Sequence, residues 1–115
     1  MPYIAFRTSK TLTPTQKEAV KSGFGKLIST LPTKSERGLL VDISDGHTFY
    51  FHGEAADAAY VDIKLYGESP AAAKEELTLE LFKMLGEAVG LGPKDVYINY
   101  DEYQSWGSNG ALNQK

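Results

Sequence analysis

The order strand–helix–strand occurs twice in this sequence, and the repetition limits the fold more than any other feature does. Tyr3 in the first unit matches Tyr60 in the second, 57 residues later. Thr13-Pro14 matches Ser69-Pro70 at a separation of 56 residues. In each unit a right-handed crossover makes two parallel strands with a helix on one face. Two such units side by side predict an α/β (α+β) fold, in which a four-stranded sheet carries both helices on the same side.

A proline marks the start of each predicted helix. Thr13 is a favourable N-cap, Pro14 suits the first helical position, and Gln16 completes a capping box. Apolar residues then recur at helical spacing, at Val20, Phe24, Leu27, Ile28 and Leu31. Ser69-Pro70 predicts the second start in the same way, and Gly90 predicts its end. The apolar face of the second helix is formed by Leu77, Leu81, Leu85 and Val89.

Five segments have the composition of strands, because β-branched, aromatic and other apolar residues cluster or alternate in them. They cover residues 2–8, 38–44, 47–52, 59–66 and 96–100. Asp45-Gly46 predicts a hairpin turn between the second and third of these strands. Residues 53–58 are predicted to be a loop, and residues 101–115 a polar tail.

The two helices can cover only one face of the predicted sheet. The strands carry large side chains at Tyr3, Phe6, Tyr60 and Tyr97. Copies of the same chain would bury the second face most simply, so the sequence predicts an oligomer.

Composition excludes several classes of function. The 115 residues, 42% of them hydrophobic, predict one domain over residues 1–115. The net charge of −3 argues against a nucleic-acid partner, and the absence of cysteine excludes disulfides and thiolate metal sites. His47 and His52 are interpreted as structural or solvated, which leaves open only a mixed metal site with carboxylates. No segment has the pattern of a membrane span or a secretory signal, so a cytoplasmic location is expected.

Three groups of residues are candidates for chemistry. Removal of Met1 would give Pro2 a free secondary amine, which is a base near neutral pH where its surroundings disfavour the protonated form. Lys34, in the loop after the first helix, either holds a substrate carboxylate or is a solvated lysine. Tyr97 and Asn99 share one face of a strand, where they either line a polar pocket or belong to a half-buried sheet surface.

Several motifs stand in a fixed order along the chain. Met1-Pro2 opens it, and Lys34 follows the first helix. Phe51-His52-Gly53 is similar to a Phe-Gly-Gly motif, residues 95–100 to Arg-Val-Tyr-Ile-Asn-Tyr, and residues 106–110 to Trp-Gly-x-Asn-Gly. All of these motifs belong to one family, and almost the whole chain resembles the tautomerase superfamily in its macrophage migration inhibitory factor (MIF) branch.

The resemblance implies a homotrimer of β-α-β-β-α-β subunits whose sheets form a central barrel. It implies a cofactor-free keto–enol tautomerase, similar to phenylpyruvate tautomerase, that acts on a 2-oxo acid or its enol with Pro2 as the acid–base residue. Lys34 would bind the substrate carboxylate, helped by backbone near Tyr66. Tyr97 and Asn99 of the neighbouring subunit would line the pocket. Three aromatic residues would supply its apolar wall: Tyr3, Tyr66 and Trp106.

The chain departs from the family's human member where Gly38, Ser108 and Asn113 stand in place of aromatic residues. A different pocket shape and substrate preference are therefore expected. One alternative is a MIF-like binding or signalling trimer with weak or no catalysis, whose partner by family analogy is a protein receptor. Dehalogenation or decarboxylation is a further alternative, which the presence of only two arginines disfavours. Animal relatives are exported without a signal peptide, so leaderless export is a second expectation for the location.

Overall fold

The computed structural model describes residues 1–115 as eight strands, two α-helices and three short 3-10 turns. The strands are β1 (Pro2–Thr8), β2 (Leu40–Ser44), β3 (Tyr50–Phe51), β4 (Glu54–Ala55), β5 (Ala59–Tyr66), β6 (Val96–Tyr103), β7 (Ser105–Ser108) and β8 (Ala111–Gln114). The helices are α1 (Pro14–Leu27) and α2 (Ala71–Val89). No helix of the structure combines the length and the apolar character needed to span a membrane.

Four of the strands form the main sheet in the order β2-β1-β5-β6. Each strand–helix–strand unit contributes one parallel pair, β1 with β2 and β5 with β6. The two units join through antiparallel pairing of β1 with β5, in which Pro2 lies opposite Leu65. The predicted four-stranded sheet with both helices on one face is therefore confirmed.

Alternate residues of the central strands pack against the helices and form the core. Ile4, Phe6, Ile63 and other strand residues are fully buried there, and the ring of Phe6 meets the ring of Phe24 from α1 edge-on at 6.1 Å. The predicted face of α2 is buried, at Leu77, Leu81, Leu85 and Val89. Burial of these apolar side chains supplies most of the favourable free energy of folding. Phe6 thus belongs to the core and not to the uncovered face.

The two helix starts differ, although the sequence predicts the same cap for both. Thr13 and Gln16 form the predicted capping box, with hydrogen bonds of 3.1 and 2.9 Å. At α2, however, Pro70 is the N-cap and no side chain caps the helix. The backbone N–H of Ser69 instead donates to the Glu102 carboxylate at 2.6 Å. The predicted Ser69 cap is wrong, because a carboxylate of β6 holds this segment.

Asp45-Gly46 forms a turn, but not the predicted hairpin. The Asp45 carboxylate accepts from the backbone N–H of Leu12 at 2.8 Å, and the N–H of Gly46 donates to the Lys10 carbonyl at 3.0 Å. Both bonds tie the turn to the loop before α1. The chain therefore leaves the sheet after β2, and the predicted strand over residues 47–52 shortens to β3.

Two further hairpins replace segments that were predicted to lack structure. Strands β3 and β4 pair across His52-Gly53, where both residues have positive φ angles, so residues 53–58 are not entirely a loop. Strands β7 and β8 pair across Asn109-Gly110, again with positive φ at both residues. Asn-Gly is a strong two-residue hairpin signal, since both positions tolerate the left-handed conformation. Strand β6 also continues through residues 101–103, beyond its predicted end at residue 100, so the prediction of a polar tail over residues 101–115 is wrong.

The face of the sheet opposite the helices remains uncovered within one chain, and it is largely polar. Tyr60 and Tyr97 are exposed there, beside an ion-pair group in which Lys64 contacts Asp62 and Asp101 at 3.4 and 3.0 Å. These contacts hold the pKa of Lys64 above its ordinary value, chiefly through the hydrogen bond to Asp101.

Candidate active site

Pro2 is buried at the start of β1, between β2 and β5. Proline is tolerated at the first residue of a strand, because its missing N–H is not needed for the ladder. Gly38 lies beside the proline ring, since a Cβ at that position would stand 3.8 Å from Pro2 Cδ. Pro2, which the sequence predicts to be reactive, is thus buried among backbone segments, and its neighbour Gly38 has no side chain.

Lys34 reaches the same region from the loop after α1. Thr33 adopts a left-handed conformation (φ 68°), and the N–H of Lys34 donates to the Leu31 carbonyl at 3.2 Å, which turns the chain back toward the sheet. The ammonium of Lys34 donates to the backbone carbonyl of Tyr66 at 2.9 Å. Partial burial lowers the pKa of Lys34, and the nearby charge of Lys115 lowers it further, against an opposing effect of Glu102.

Strand pairing explains why these residues meet. Tyr66 directly follows Leu65, which is the partner of Pro2 in the antiparallel ladder. The structure therefore brings Pro2, Lys34 and Tyr66 together, and we call this group the Pro2 end. It is built entirely from one chain.

Met1 shows which other residues adjoin the Pro2 end. Its sulfur contacts the Ser108 hydroxyl at 2.8 Å and the Asn113 amide nitrogen at 3.8 Å. Burial lowers the pKa of the Met1 amine, and the positive charge of Lys34 lowers it further. An amine at this end of the chain is therefore already biased toward its neutral form.

Tyr97 and Asn99 lie elsewhere, on the uncovered face of β6, and we call this pair the Tyr97 end. Tyr97 is 61% exposed, and its ring meets that of Phe51 edge-on at 5.1 Å. The amide nitrogen of Asn99 donates to Asp62 at 3.0 Å. Its amide oxygen is buried without a hydrogen-bond partner, although buried polar atoms are nearly always paired in folded proteins.

One chain does not bring the two ends together. Tyr97 pairs with Tyr60, whereas Pro2 pairs with Leu65, five residues farther along β5. At ~3.3 Å per residue, this places the two ends about 17 Å apart along the strand.

The two remaining aromatic candidates take different positions. The hydroxyl of Tyr3 donates to Asp42 at 2.8 Å on the uncovered face, so its side chain points away from the face that buries Pro2. Trp106 lies in β7, where its carbonyl accepts from the amide of Asn113 at 3.1 Å. Trp106 is thus linked through Asn113 to the surroundings of Met1, whereas Tyr3 is not part of the Pro2 end.

Similar proteins are found by comparing the structure of this chain, and not by comparing its sequence. No protein-family model and no curated protein matches the sequence. The structure of MIF2 from Leishmania major superposes with a TM-score of 0.89 at 22% identity, over 97% of both chains. The MIF-like protein of Entamoeba histolytica gives 0.84 at 20% identity, over 96% of this chain and 97% of that one. The chain has the MIF, or tautomerase, fold.

A protein called Pt0534 has the same fold, and its crystal structure shows the protein after inactivation by 2-oxo-3-pentynoate. It gives a TM-score of 0.85 at 13% identity, over 94% of this chain and 93% of the other. At such identities the likeness establishes the MIF fold, while the role of each side chain rests on its own geometry.

Sequence reasoning missed one residue that the MIF fold brings to the Pro2 end. The ammonium of Lys115 lies 4.7 Å from the centroid of the Tyr66 ring. Nothing in the sequence marked this lysine, because its position depends on the β7–β8 hairpin, which was predicted to be a tail. No group of three or more His, Cys, Asp or Glu residues is arranged to hold a metal ion.

Proposed function

We propose that this chain is a cofactor-free keto–enol tautomerase of a 2-oxo acid, with Pro2 as the acid–base residue after removal of Met1. One observation carries the proposal. The buried Pro2 lies beside Lys34, whose ammonium is half-buried and oriented by the Tyr66 carbonyl at 2.9 Å. A base and a carboxylate-binding cation therefore occupy the same small region.

The surroundings favour a neutral amine at Pro2. The pKa of the Met1 amine is already lowered by burial and by Lys34. Removal of Met1 would move the amine one residue inward, to a residue that is more buried than Met1. Both causes lower the pKa of an amine at this end of the chain, which favours a free base near neutral pH.

The proposed reaction moves one proton within the substrate. Lys34 binds the carboxylate of the enol and fixes its orientation. The Pro2 nitrogen accepts the hydroxyl proton from the oxygen at C2 and delivers a proton to C3, so an O–H bond breaks and a C–H bond forms. The reverse transfer converts the keto form to the enol. No electrons leave the substrate, so the step needs no cofactor.

The same proposal includes a homotrimer in which the Tyr97 end of one subunit faces the Pro2 end of the next. Its support is that Tyr97 is mostly exposed in one chain. The exposed side chains of Leu40 and Tyr50, at 65% and 74%, also lack cover. Contact between copies would bury these apolar groups and supply hydrogen-bonding groups to the pocket.

The test is ketonisation of enol-phenylpyruvate, followed by absorbance, on protein whose intact mass shows that Met1 is absent. We expect turnover above the buffer rate that is lost in Pro2→Gly and in a form that retains Met1. Covalent labelling of the amino terminus by 2-oxo-3-pentynoate gives an independent readout of a reactive amine. Full activity in Pro2→Gly, with intact folding, would contradict the mechanism.

A second candidate is a MIF-like binding or signalling trimer with weak catalysis. It is favoured by Gly38, Ser108 and Asn113, which place no aromatic wall around Pro2. In that case the trimer would form, but the terminal amine would neither label nor turn over an enol.

A further inference from the structure

Lys115 provides a second positive charge beside the candidate site. Its ammonium lies over the ring of Tyr66, 4.7 Å from the centroid, while the Tyr66 carbonyl holds Lys34. The backbone N–H of Lys115 donates to the carbonyl of Gln104, in the bend between β6 and β7, at 2.9 Å, which fixes the backbone of Lys115. Two lysines thus flank the same tyrosine, one at its carbonyl and one at its ring.

Gly67 makes room for this arrangement. A Cβ at position 67 would lie 2.8 Å from Lys115 Cε and 3.4 Å from its ammonium nitrogen. The φ angle of +79° also favours glycine over residues with a side chain. Any other residue here would displace Lys115 from the Tyr66 ring.

The charges of the two lysines are not neutralised within the chain. Neither Lys34 nor Lys115 takes part in a salt bridge. Glu102 is close enough to affect Lys34, but its carboxylate is engaged by the Lys74 ammonium at 2.8 Å and by the Ser69 N–H at 2.6 Å. The site therefore has two cations available for an incoming anion.

Three other positions around Met1 and Pro2 lack the apolar side chain that an aryl group of a substrate would need. The Ser108 hydroxyl and the Asn113 amide touch Met1 and hydrogen-bond to each other at 3.0 Å. Gly38 contributes no side chain next to Pro2. Once Met1 is absent, the Ser108 hydroxyl is free to donate to a substrate, whereas the Asn113 amide nitrogen remains bonded to Ser108 and to the Trp106 carbonyl.

We infer that the site takes a dicarboxylic 2-oxo acid or its enol, with the carboxylate next to the oxo group on Lys34 and the second carboxylate on Lys115. The inference rests on the proposed function for its chemistry, since Pro2 would move the proton between the two anchored carboxylates. Phenylpyruvate, with one carboxylate and an aryl group, would be a poorer substrate.

Binding of inert acids tests the inference without requiring catalysis. Calorimetry would compare glutarate with butyrate on wild-type protein, on Lys115→Met and on Lys94→Met, an exposed lysine without an ion-pair partner as the matched control. Because Lys115 is exposed, we expect wild type and Lys94→Met to prefer glutarate by about fivefold, and Lys115→Met to lose that preference. Equal preference in all three proteins would overturn the inference.

Turnover separates a failure of the inference from a failure of the proposed function. The ratio of kcat/KM for enol-oxaloacetate to that for enol-phenylpyruvate should fall about fivefold in Lys115→Met and stay unchanged in Lys94→Met. Pro2-dependent turnover with an unchanged ratio would refute the dicarboxylate and leave the tautomerase standing. Absence of turnover on both substrates would refute the tautomerase, and the glutarate preference would then decide the binding role of Lys115.

Discussion

The Pro2 end and the Tyr97 end differ in how much of each a single chain can complete. At the Pro2 end, three segments of one chain converge, and Lys34 already has the Tyr66 carbonyl as a partner. At the Tyr97 end, one aromatic side chain is mostly exposed and one buried amide oxygen has no partner. The first end is fixed by folding, whereas the second lies largely uncovered in a single chain.

The positions of the strands explain this difference. Pro2 lies in β1, which has neighbours on both sides, whereas Tyr97 and Asn99 lie in β6 at the edge of the sheet. An edge strand presents unpaired backbone groups to another chain. In the proposed function, folding of one chain therefore completes the Pro2 end, and a neighbouring subunit would supply the rest of the pocket.

The largest effect is expected at Pro2, the proposed acid–base residue. Pro2→Gly replaces a secondary amine by a primary one with a different basicity and geometry, so kcat/KM should fall by roughly 10²- to 10⁴-fold. Steady-state ketonisation measures the loss, and thermal unfolding provides the control. A similar loss in a variant that has also unfolded would say nothing about the amine, so the melting temperature must stay close to that of the wild type.

Lys34→Met should raise KM by roughly 10- to 100-fold, because a charge-assisted hydrogen bond to the substrate carboxylate is lost. The lowered pKa of Lys34 also predicts a pH dependence. The charged form exists below this pKa, so KM of the wild type should rise as the pH increases through it, at lower pH than for an ordinary lysine.

That alkaline rise in KM should be absent in Lys34→Met, which has no charge to lose. If the variant kept the rise, another group would be responsible for it.

Asn99→Ala should lower kcat/KM about tenfold through loss of one hydrogen bond to substrate. Labelling of the amino terminus by 2-oxo-3-pentynoate should remain, because the Pro2 end is built without Asn99. Loss of labelling together with activity would show that the two ends are not independent.

The smallest effect is expected far from both ends. Thr13→Ala removes the capping box of α1 and should lower the free energy of unfolding by about 1 kcal/mol. Urea denaturation measures the change. We expect kcat/KM of the folded variant to equal that of the wild type, and a changed value would show that this cap also affects the candidate site.

The two helices and the strands of the main sheet could be predicted from the sequence, because the residue patterns that specify them lie within single segments. The capping box at Thr13 and the apolar face of α2 depend on spacing within one segment. The Asp45-Gly46 turn was misread, since its partners, Leu12 and Lys10, are distant in sequence. Asn109-Gly110 did carry a hairpin signal, but the short polar strands around it concealed the pairing.

The candidate site could be predicted only in part. Pro2 and Lys34 meet as expected, because β1 and the loop after α1 are joined through β5. The opposite orientation of Tyr3 follows from strand alternation and could have been read from the sequence. Lys115 could not, since its place depends on tertiary packing.

If the two ends combine between subunits, subunit complementation should restore activity to a mixture of two defective chains. Pro2→Gly and Asn99→Ala chains would be co-refolded in equal amounts and assayed against each parent. In cyclic trimers with random mixing, about one quarter of all sites would join an intact Pro2 end to an intact Tyr97 end. We therefore expect activity near a quarter of that of wild type, clearly above both parents. Activity equal to the mean of the two parents would contradict combination of the two ends between subunits.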